Sequence, residues 1–321
     1  MNRFCEIILK IAKKKIYPIF FSQKQLPTID IPFDNEGVNA QIHDAILKGQ
    51  PFMVARFGSV EMNAIANYIG VRDNPHSIIK YIKGEINEWW WSTNAISLLQ
   101  SNAGFFPLKD EMIIKFGEIM SEDSRAIDIL GSWIPTEYYL RNQLVNAKKV
   151  RLEDLKPKFF WDGNGANWTQ ALKGKRVLVV HPFTDTIKNQ YAKRKLLFKH
   201  PDFLPEFDLL TVKAVQSIGG VCEYATWFDA LDHMKQEMDK IDYDVCILGC
   251  GAYGLPLAAH AKRTGHVAVH LGGVTQLMFG IRGNRWENRE EWNGLFNENW
   301  VRPSDSERPL TAQNVEGACY W

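Results

Sequence analysis

The chain has 321 residues, of which 45% are hydrophobic and 23% are charged. This composition excludes a wholly disordered chain and allows one large domain or two ordinary ones. Its 38 Lys and Arg residues nearly balance its 37 Asp and Glu residues, which excludes a global basic surface, so no nucleic-acid partner is expected. The five cysteines include no CxxC pair, which indicates reduced thiols rather than a disulfide framework or a zinc site.

The first residues of the chain combine apolar and basic positions. No apolar run approaches the roughly 20 residues of a membrane span, and Glu6 and Lys10 interrupt the pattern of a signal peptide. We therefore expect a cytoplasmic protein. Residues 1–16 predict a short amphipathic helix with apolar positions Phe4, Ile7, Ile8, Ile11 and Ala12 and with Lys10, Lys13 and Lys14 on other faces. It could lie on the inner face of an anionic cell membrane, or pack on the domain through its apolar stripe.

Strand and helix patterns then alternate along the chain. Strands are predicted at 51–56, 126–130, 176–180, 208–215, 244–248 and 267–271, and helices at 59–68, 85–100, 223–240 and 254–264. The helix at 85–100 would contain three consecutive tryptophans, whose side chains would point about 100° apart, so at least one should be exposed or covered by another segment. The alternation predicts an α/β, Rossmann-like fold with a mostly parallel sheet and helices on both faces.

The predicted organisation has three parts. Residues 1–36 form the N-terminal segment and an irregular linker, residues 37–285 form the catalytic α/β domain, and residues 286–321 form a Trp-rich tail that could wrap the domain. A loop-rich stretch at 150–175, with a turn predicted at 162–165, offers a division of the domain into halves 37–150 and 151–285.

A glycine-rich turn follows the strand predicted at 244–248. Residues 249–254 read Gly-Cys-Gly-Ala-Tyr-Gly and open a helix, which fits GxGxxG in its required context and predicts phosphate or diphosphate binding by Gly249, Gly251, Tyr253 and Gly254. The alternative is a turn that only permits close packing. An NAD site would also need a carboxylate about 20 positions on, where the chain has His270 and Leu271.

A second glycine-rich strand end lies directly after this unit. We predict that it lies beside the first loop and contributes His270, Gly272, Gly273 and Gln276 to the same nucleotide site. Arg282 and Arg285 follow and offer guanidinium groups to a phosphate, although both could equally be solvated surface residues.

Residues 56–61, which read Arg-Phe-Gly-Ser-Val-Glu, connect another strand to a helix. Glu61 could ligate a metal, accept a sugar hydroxyl or act as a base, or it could simply stabilise the helix N-terminus. Arg56 is its predicted electrostatic neighbour, and Gly58 and Ser59 are predicted to contact the donor. His181, at another strand end, is a candidate for proton transfer or a structural residue.

Residues 56–61 resemble the strand-to-helix motif of bacterial glycosyltransferases of the GT-D fold, and residues 249–254 and 270–273 resemble that family's closing βα units. The family reads Arg-aromatic-Gly-Asp-Gly-Glu at the first place, with an Asp-x-Glu pair implicated in holding the metal of a nucleotide sugar. Here Ser59 replaces the Asp and Glu61 matches the second acidic position. The resemblance therefore implies a nucleotide-diphosphate sugar donor, and Mn²⁺ or Mg²⁺ only if Glu61 suffices.

Three functions are compatible with these patterns. The resemblance implies a hexosyltransferase-like enzyme that moves a sugar to a glycan or lipid-linked acceptor in bacterial surface polysaccharide or glycoconjugate synthesis. The loss of the Asp permits a non-catalytic nucleotide-sugar-binding subunit. The glycine-rich turn alone permits an NAD(P)-dependent oxidoreductase, which the missing ribose carboxylate disfavours.

Overall fold

A computed structural model describes residues 2–157, 167–217, 222–287, 289–292, 294–309, 312–314 and 317–321. The turn predicted at 162–165 lies outside these residues. Across the described ranges, no helix combines the length and the apolar character needed to cross a bilayer.

Seven parallel strands form one sheet, in the order β3-β2-β1-β7-β6-β4-β5. Their bounds are β1 Phe52–Ala55, β2 Ile129–Ser132, β3 Lys148–Arg151, β4 Arg176–His181, β5 Asp208–Lys213, β6 Val245–Leu248 and β7 Val267–His270. The predicted Rossmann-like α/β fold is confirmed.

Twelve α-helices lie in the described ranges. They are α1 Arg3–Ile11, α2 Tyr17–Phe20, α3 Asn35–Lys48, α4 Ser59–Asp73, α5 Ile78–Ile82, α6 Thr93–Ser101, α7 Asp110–Asp123, α8 Thr184–Tyr191, α9 Trp227–Asp239, α10 Gly254–Arg263, α11 Val274–Met278 and α12 Asn284–Glu287. A π-helical stretch, Ala12–Ile16, joins α1 to α2.

Both faces of the sheet are covered, because alternate residues of each strand point to opposite sides. In β4, Leu178 and Val180 enter one core with α4, α7, α9 and α10, whereas Val177 and Val179 enter the other with α3 and α8. The second core also receives four buried tryptophans of the C-terminal tail, which are Trp286, Trp292, Trp300 and Trp321.

The strand order positions the site. β1 pairs with β7, so strands from both predicted halves share one sheet, while the domain boundaries themselves stay a prediction. From β1 the chain proceeds outwards to β2 and β3, and from β4 it proceeds outwards to β5 on the opposite side. Such a reversal opens a crevice at the carboxyl ends of the central strands, where ligands of open α/β sheets bind.

One local prediction was wrong. Trp89, Trp90 and Trp91 lie outside any helix, because the helix of this region begins only at Thr93. Trp90 is buried, and its ring packs against both Tyr81 and Trp89. A non-helical backbone permits this aromatic packing, which local helical propensity does not predict.

The structure excludes one of the two alternatives given for the helix at the start of the chain. The helix forms, but it does not pack on the domain through its apolar stripe, because Phe4, Ile7, Ile8 and Ile11 are all exposed. In addition, the sequence pattern missed β3, an edge strand with three basic residues among its four. Charged side chains are typical of an edge strand, which only needs partners on one side.

Candidate functional site

A cavity of about 180 Å³ opens at the carboxyl ends of the central strands. It brings together residues that follow β1, β2, β4, β5, β6 and β7. Thirteen of the predicted site residues line it, namely Arg56, Gly58, Ser59, Glu61, His181, Gly249, Gly251, Tyr253, His270, Gly272, Gly273, Gln276 and Arg285. Gly254 and Arg282 do not line it.

Arg56 leaves the end of β1 and lies across the loop that follows β7. A Cβ atom added to Gly272, whose φ is +62°, would lie 3.4 Å from the nearer guanidinium nitrogen. Burial lowers the pKa of Arg56, and the Glu61 carboxylate opposes that shift. The guanidinium is 5.3 Å from the Trp133 ring centroid, yet within the described residues it makes no hydrogen bond or ion pair. Its five donor N–H groups are therefore available to a ligand.

Glu61 lies in the first turn of α4, and its carboxylate folds back over Gly58. A Cβ atom added to Gly58 would lie only 1.9 Å from Glu61 Oε2, so a side chain at that position would displace the carboxylate. Among the residues that the structure describes, the Glu61 carboxylate has no hydrogen-bond or ion-pair partner. It is consequently free to accept a proton or a hydroxyl from a ligand in the cavity.

Trp133 forms one wall and was missed as a site residue, although its position directly after β2 was a usable signal. Its indole N–H donates to the Phe57 carbonyl at 2.9 Å. The buried Glu137 carboxylate accepts from the backbone N–H groups of Trp133 and Ile134, each at 3.1 Å. These bonds hold the indole beside Arg56, where its exposed face can stack on a flat ring.

The glycine turn after β6 has two separate roles. Gly251 has a φ of +59°, and a Cβ atom there would meet nothing within 4 Å, so this backbone is open to a ligand. Gly254 instead permits close packing, because its Cβ would lie 2.1 Å from the His270 ring. Tyr253 is buried, stacks on Trp227 with ring centroids 4.8 Å apart, and shares a hydrogen bond with the Ser217 hydroxyl at 2.8 Å.

His181 and His270 are buried and neutral. Burial lowers the pKa of each to about 3. The Phe183 N–H donates to Nδ1 of His181 at 3.0 Å, which leaves the proton of the neutral ring on Nε2. His270 Nδ1 lies 3.3 Å from the Leu248 carbonyl and is therefore the protonated nitrogen. The geometry favours His181 as a hydrogen-bond donor over the predicted proton-transfer role.

The C-terminal residues Tyr320 and Trp321 also line the cavity. Arg285 donates to the Tyr320 hydroxyl at 2.6 Å, and the buried Gln276 amide donates to the Tyr320 carbonyl at 3.2 Å. Gln276 thus holds the backbone at Tyr320 in place. No local signal pointed to Tyr320, because only these long-range contacts bring it to the cavity.

Arg282 lies outside the cavity, where its Nε is 3.6 Å from Glu287 Oε1. Arg285 therefore lines the site and Arg282 does not, although the sequence treats the two alike. Arg56 and Arg285 are close enough for the charge of Arg285 to lower the pKa of Arg56. Two neighbouring cations of this kind are a suitable environment for a diphosphate.

A divalent cation held by the protein does not fit the donor set. Magnesium and manganese prefer several carboxylate or carbonyl oxygens. Glu61 offers one carboxylate, Ser59 offers a hydroxyl, and within the described ranges no three His, Cys, Asp or Glu side chains are grouped as metal ligands.

The comparisons with known proteins bear on this geometry. The family model of the GT-D fold-like domain matches residues 165–278. Residues 165–278 are therefore similar to a GT-D fold-like domain. The match covers β4 to β7 and the loops of His181, Gly251 and His270, so the matched residues supply much of the cavity wall. No curated protein and no solved structure showed a significant match.

Proposed function

We propose that this protein is a glycosyltransferase that moves a sugar from a nucleotide-diphosphate sugar to a glycan or lipid-linked acceptor. One observation carries the proposal. The matched residues 165–278 contribute four strands to the sheet. At its ligand edge the Arg56 guanidinium and the Glu61 carboxylate line the same cavity, and neither has a hydrogen-bond or ion-pair partner among the described residues.

Diphosphate binding is assigned to the cationic side of the cavity. Arg56 offers a bidentate guanidinium, which is suited to phosphate oxygens. The positive-φ backbone at Gly251 and Gly272 allows a close approach, and the Nε2–H of His181 adds a neutral donor. Trp133 supplies a flat surface for the base or the sugar.

The chemistry is assigned to Glu61. In the transfer, the bond between the anomeric carbon and the diphosphate oxygen breaks, and the nucleoside diphosphate leaves with the electron pair. A bond forms between that carbon and the acceptor oxygen, whose proton passes to the Glu61 carboxylate. Arg56 stabilises the charge that develops on the leaving diphosphate. Because the donor set does not fit a held metal, no step is assigned to Mn²⁺ or Mg²⁺.

The setting of this reaction also belongs to the proposal. We place it in the cytoplasm of a bacterium, in the synthesis of surface polysaccharide or a related glycoconjugate, because nucleotide-sugar donors are made there. The retention of Glu61 beside Ser59 favours activity without a metal. The same replacement of Asp supports the second candidate, a subunit that binds nucleotide sugar without turning it over.

The test measures binding and donor hydrolysis separately. The full chain is titrated calorimetrically with UDP, GDP and NAD⁺, and then incubated with UDP-glucose, UDP-N-acetylglucosamine and GDP-mannose, with and without manganese. We expect nucleoside-diphosphate binding and slow release of free sugar that does not require manganese. Binding without release would favour the non-catalytic subunit. Binding of NAD⁺ alone would contradict the proposal and favour the oxidoreductase.

A further inference from the structure

The N-terminal segment exposes a continuous set of large apolar side chains. Between 45% and 72% of the surface of each is exposed to solvent, in a segment that comprises α1, the π-helical stretch, α2 and the residue directly after α2. The members are Phe4, Ile7, Ile8, Ile11, Ile16, Ile19, Phe20 and Phe21. Single exposed apolar residues are ordinary, but a contiguous group of this kind marks an interaction surface.

Polar contacts hold this segment against the domain by its other side. The Lys10 ammonium lies 2.5 Å from Glu6 and 3.4 Å from Glu88, and Lys13 lies 4.1 Å from the Tyr81 ring centroid. The Gln23 amide donates to the Ile82 carbonyl at 2.9 Å. The basic side is therefore turned inwards at these positions, and the apolar side is fixed in an outward orientation.

Helix α5 extends the same surface, because it packs on α1 and exposes Ile78 and Ile79. We call residues 3–24 and 77–83 together the N-terminal face. Its exposed cations are Arg3, Lys14, Lys15, Lys24, Lys80 and Lys83. Glu6 is its one acidic residue in the sequence, and it is paired with Lys10. The face is thus both apolar and strongly basic, although the whole chain is nearly neutral.

We propose that the N-terminal face docks on the surface of an anionic phospholipid bilayer. An amphipathic helix with exposed Ile and Phe residues lies in the headgroup region with its apolar side buried. Basic residues nearby are attracted to anionic lipids. No helix in the described ranges can cross the bilayer, so the contact is peripheral.

The positive charge of the N-terminal face favours an anionic membrane over a second copy of the chain as its binding partner. A two-fold symmetric dimer would bring the same six exposed cations of each copy together, and like charges at an interface are unfavourable. Trp89 and Trp91 line a groove with Arg3, Glu6 and Ile78 on this side of the molecule. Partly exposed tryptophans of this kind are enriched where proteins meet the headgroup region.

The apolar contribution is tested by flotation of the full chain with vesicles. One set contains phosphatidylcholine alone, and the other also contains phosphatidylglycerol. Ile7→Gln/Ile11→Gln removes two members of the face, and Leu47→Gln/Leu196→Gln is the control, because those leucines are 56% and 57% exposed elsewhere. We expect the control to bind like the parent and the Ile variant to bind at least tenfold more weakly.

The electrostatic contribution to membrane binding is tested with the variant Lys14→Gln/Lys15→Gln. The charge-matched control is Lys195→Gln/Lys199→Gln. We expect the first pair to weaken association with phosphatidylglycerol vesicles by roughly tenfold or more, and added salt to weaken the parent protein similarly. Equal binding by all variants, or binding to neither vesicle, would overturn the proposal.

Sedimentation of the protein without vesicles tests the alternative partner of this face, which is a second copy of the chain. A parent dimer that the Ile7→Gln/Ile11→Gln change dissociates, without vesicle binding, would assign the face to a second copy. Nucleoside-diphosphate affinity should be unchanged in all four variants, because none of these residues lines the cavity. Failure of membrane docking is therefore distinguishable from failure of the proposed transferase function.

Discussion

Arg56→Met provides the sharpest separation between a structural role and a functional one. Arg56 is partly buried, and its guanidinium has no hydrogen-bond or ion-pair partner among the described residues. Burial lowers its pKa, which means that the folded protein disfavours the charge. A side chain of similar length without charge should therefore be tolerated well at this position.

Arg56→Met should have opposite effects on the stability of the protein and on its affinity for nucleotide. Replacement of a buried ion pair by well-packed apolar residues is often neutral or stabilising by about 1–4 kcal/mol. For Arg56→Met we expect at most about 1 kcal/mol of stabilisation, because only one charge is removed and the partly exposed Glu61 loses a neighbouring positive charge. Loss of a charge-assisted hydrogen bond costs about 1.5–3 kcal/mol. A bidentate contact with the diphosphate should thus be worth roughly 2–4 kcal/mol, or about 30- to 700-fold in Kd.

The assay combines urea unfolding with calorimetric titration of UDP and GDP. Arg282→Met is the matched control, because Arg282 lies outside the cavity, so its nucleotide affinity should equal that of the parent. If Arg56→Met lowers the free energy of unfolding by about 2 kcal/mol or more and leaves the nucleotide Kd unchanged, Arg56 is a structural residue and our reasoning fails.

Three further predictions concern the same cavity. Glu61→Gln should lower donor turnover by about 10²–10⁴-fold, because the base is lost, with at most about 1 kcal/mol of stability lost from the helix N-terminus; rates and melting curves measure both. Gly251→Val should weaken nucleoside-diphosphate binding, because it fills the open backbone at φ +59°, as calorimetry would show. His181 and His270 should lower the free energy of unfolding as the pH falls. Their folded pKa of about 3 lies below the unfolded value near 6.5, so only the unfolded state gains protons between about pH 6.5 and 3. Between about pH 7 and pH 5, each histidine should lower the free energy of unfolding, measured with urea, by about 2 kcal/mol.

Each of these has a control in the same chain. Glu111→Gln alters another first-turn carboxylate, in α7, and should leave turnover intact. Gly174 has a φ of +70° and equally open surroundings, so Gly174→Val imposes the same backbone strain without affecting nucleotide binding. A folded Gly251→Val protein with parental affinity would contradict the diphosphate assignment. His181→Gln should show a smaller pH dependence of stability than the parent, and an identical dependence would refute the buried neutral state.

Local patterns predicted the central framework because buried parallel strands are nearly continuous apolar runs. The runs around β4, β6 and β7 have this form, and each leads into a loop that lines the cavity. The same reasoning failed where neighbours rather than propensity decide the conformation. Lys148–Arg151 becomes a strand only because β2 offers it a free edge. The three consecutive tryptophans are non-helical because Tyr81 and Trp90 pack together.

The sequence by itself determined the alternation of strands and helices, the glycine positions that permit tight turns, and the apolar spacing of the first helix. These depend on residues a few positions apart. Only the tertiary structure decided that Arg285 enters the cavity and Arg282 does not, that burial keeps His181 and His270 neutral, and that Tyr320 completes the wall. It also decided that Lys10 and Lys13 face the domain while the isoleucines of the first helix face outwards. Each of these depends on contacts between residues far apart in the chain, whose energies local patterns do not contain.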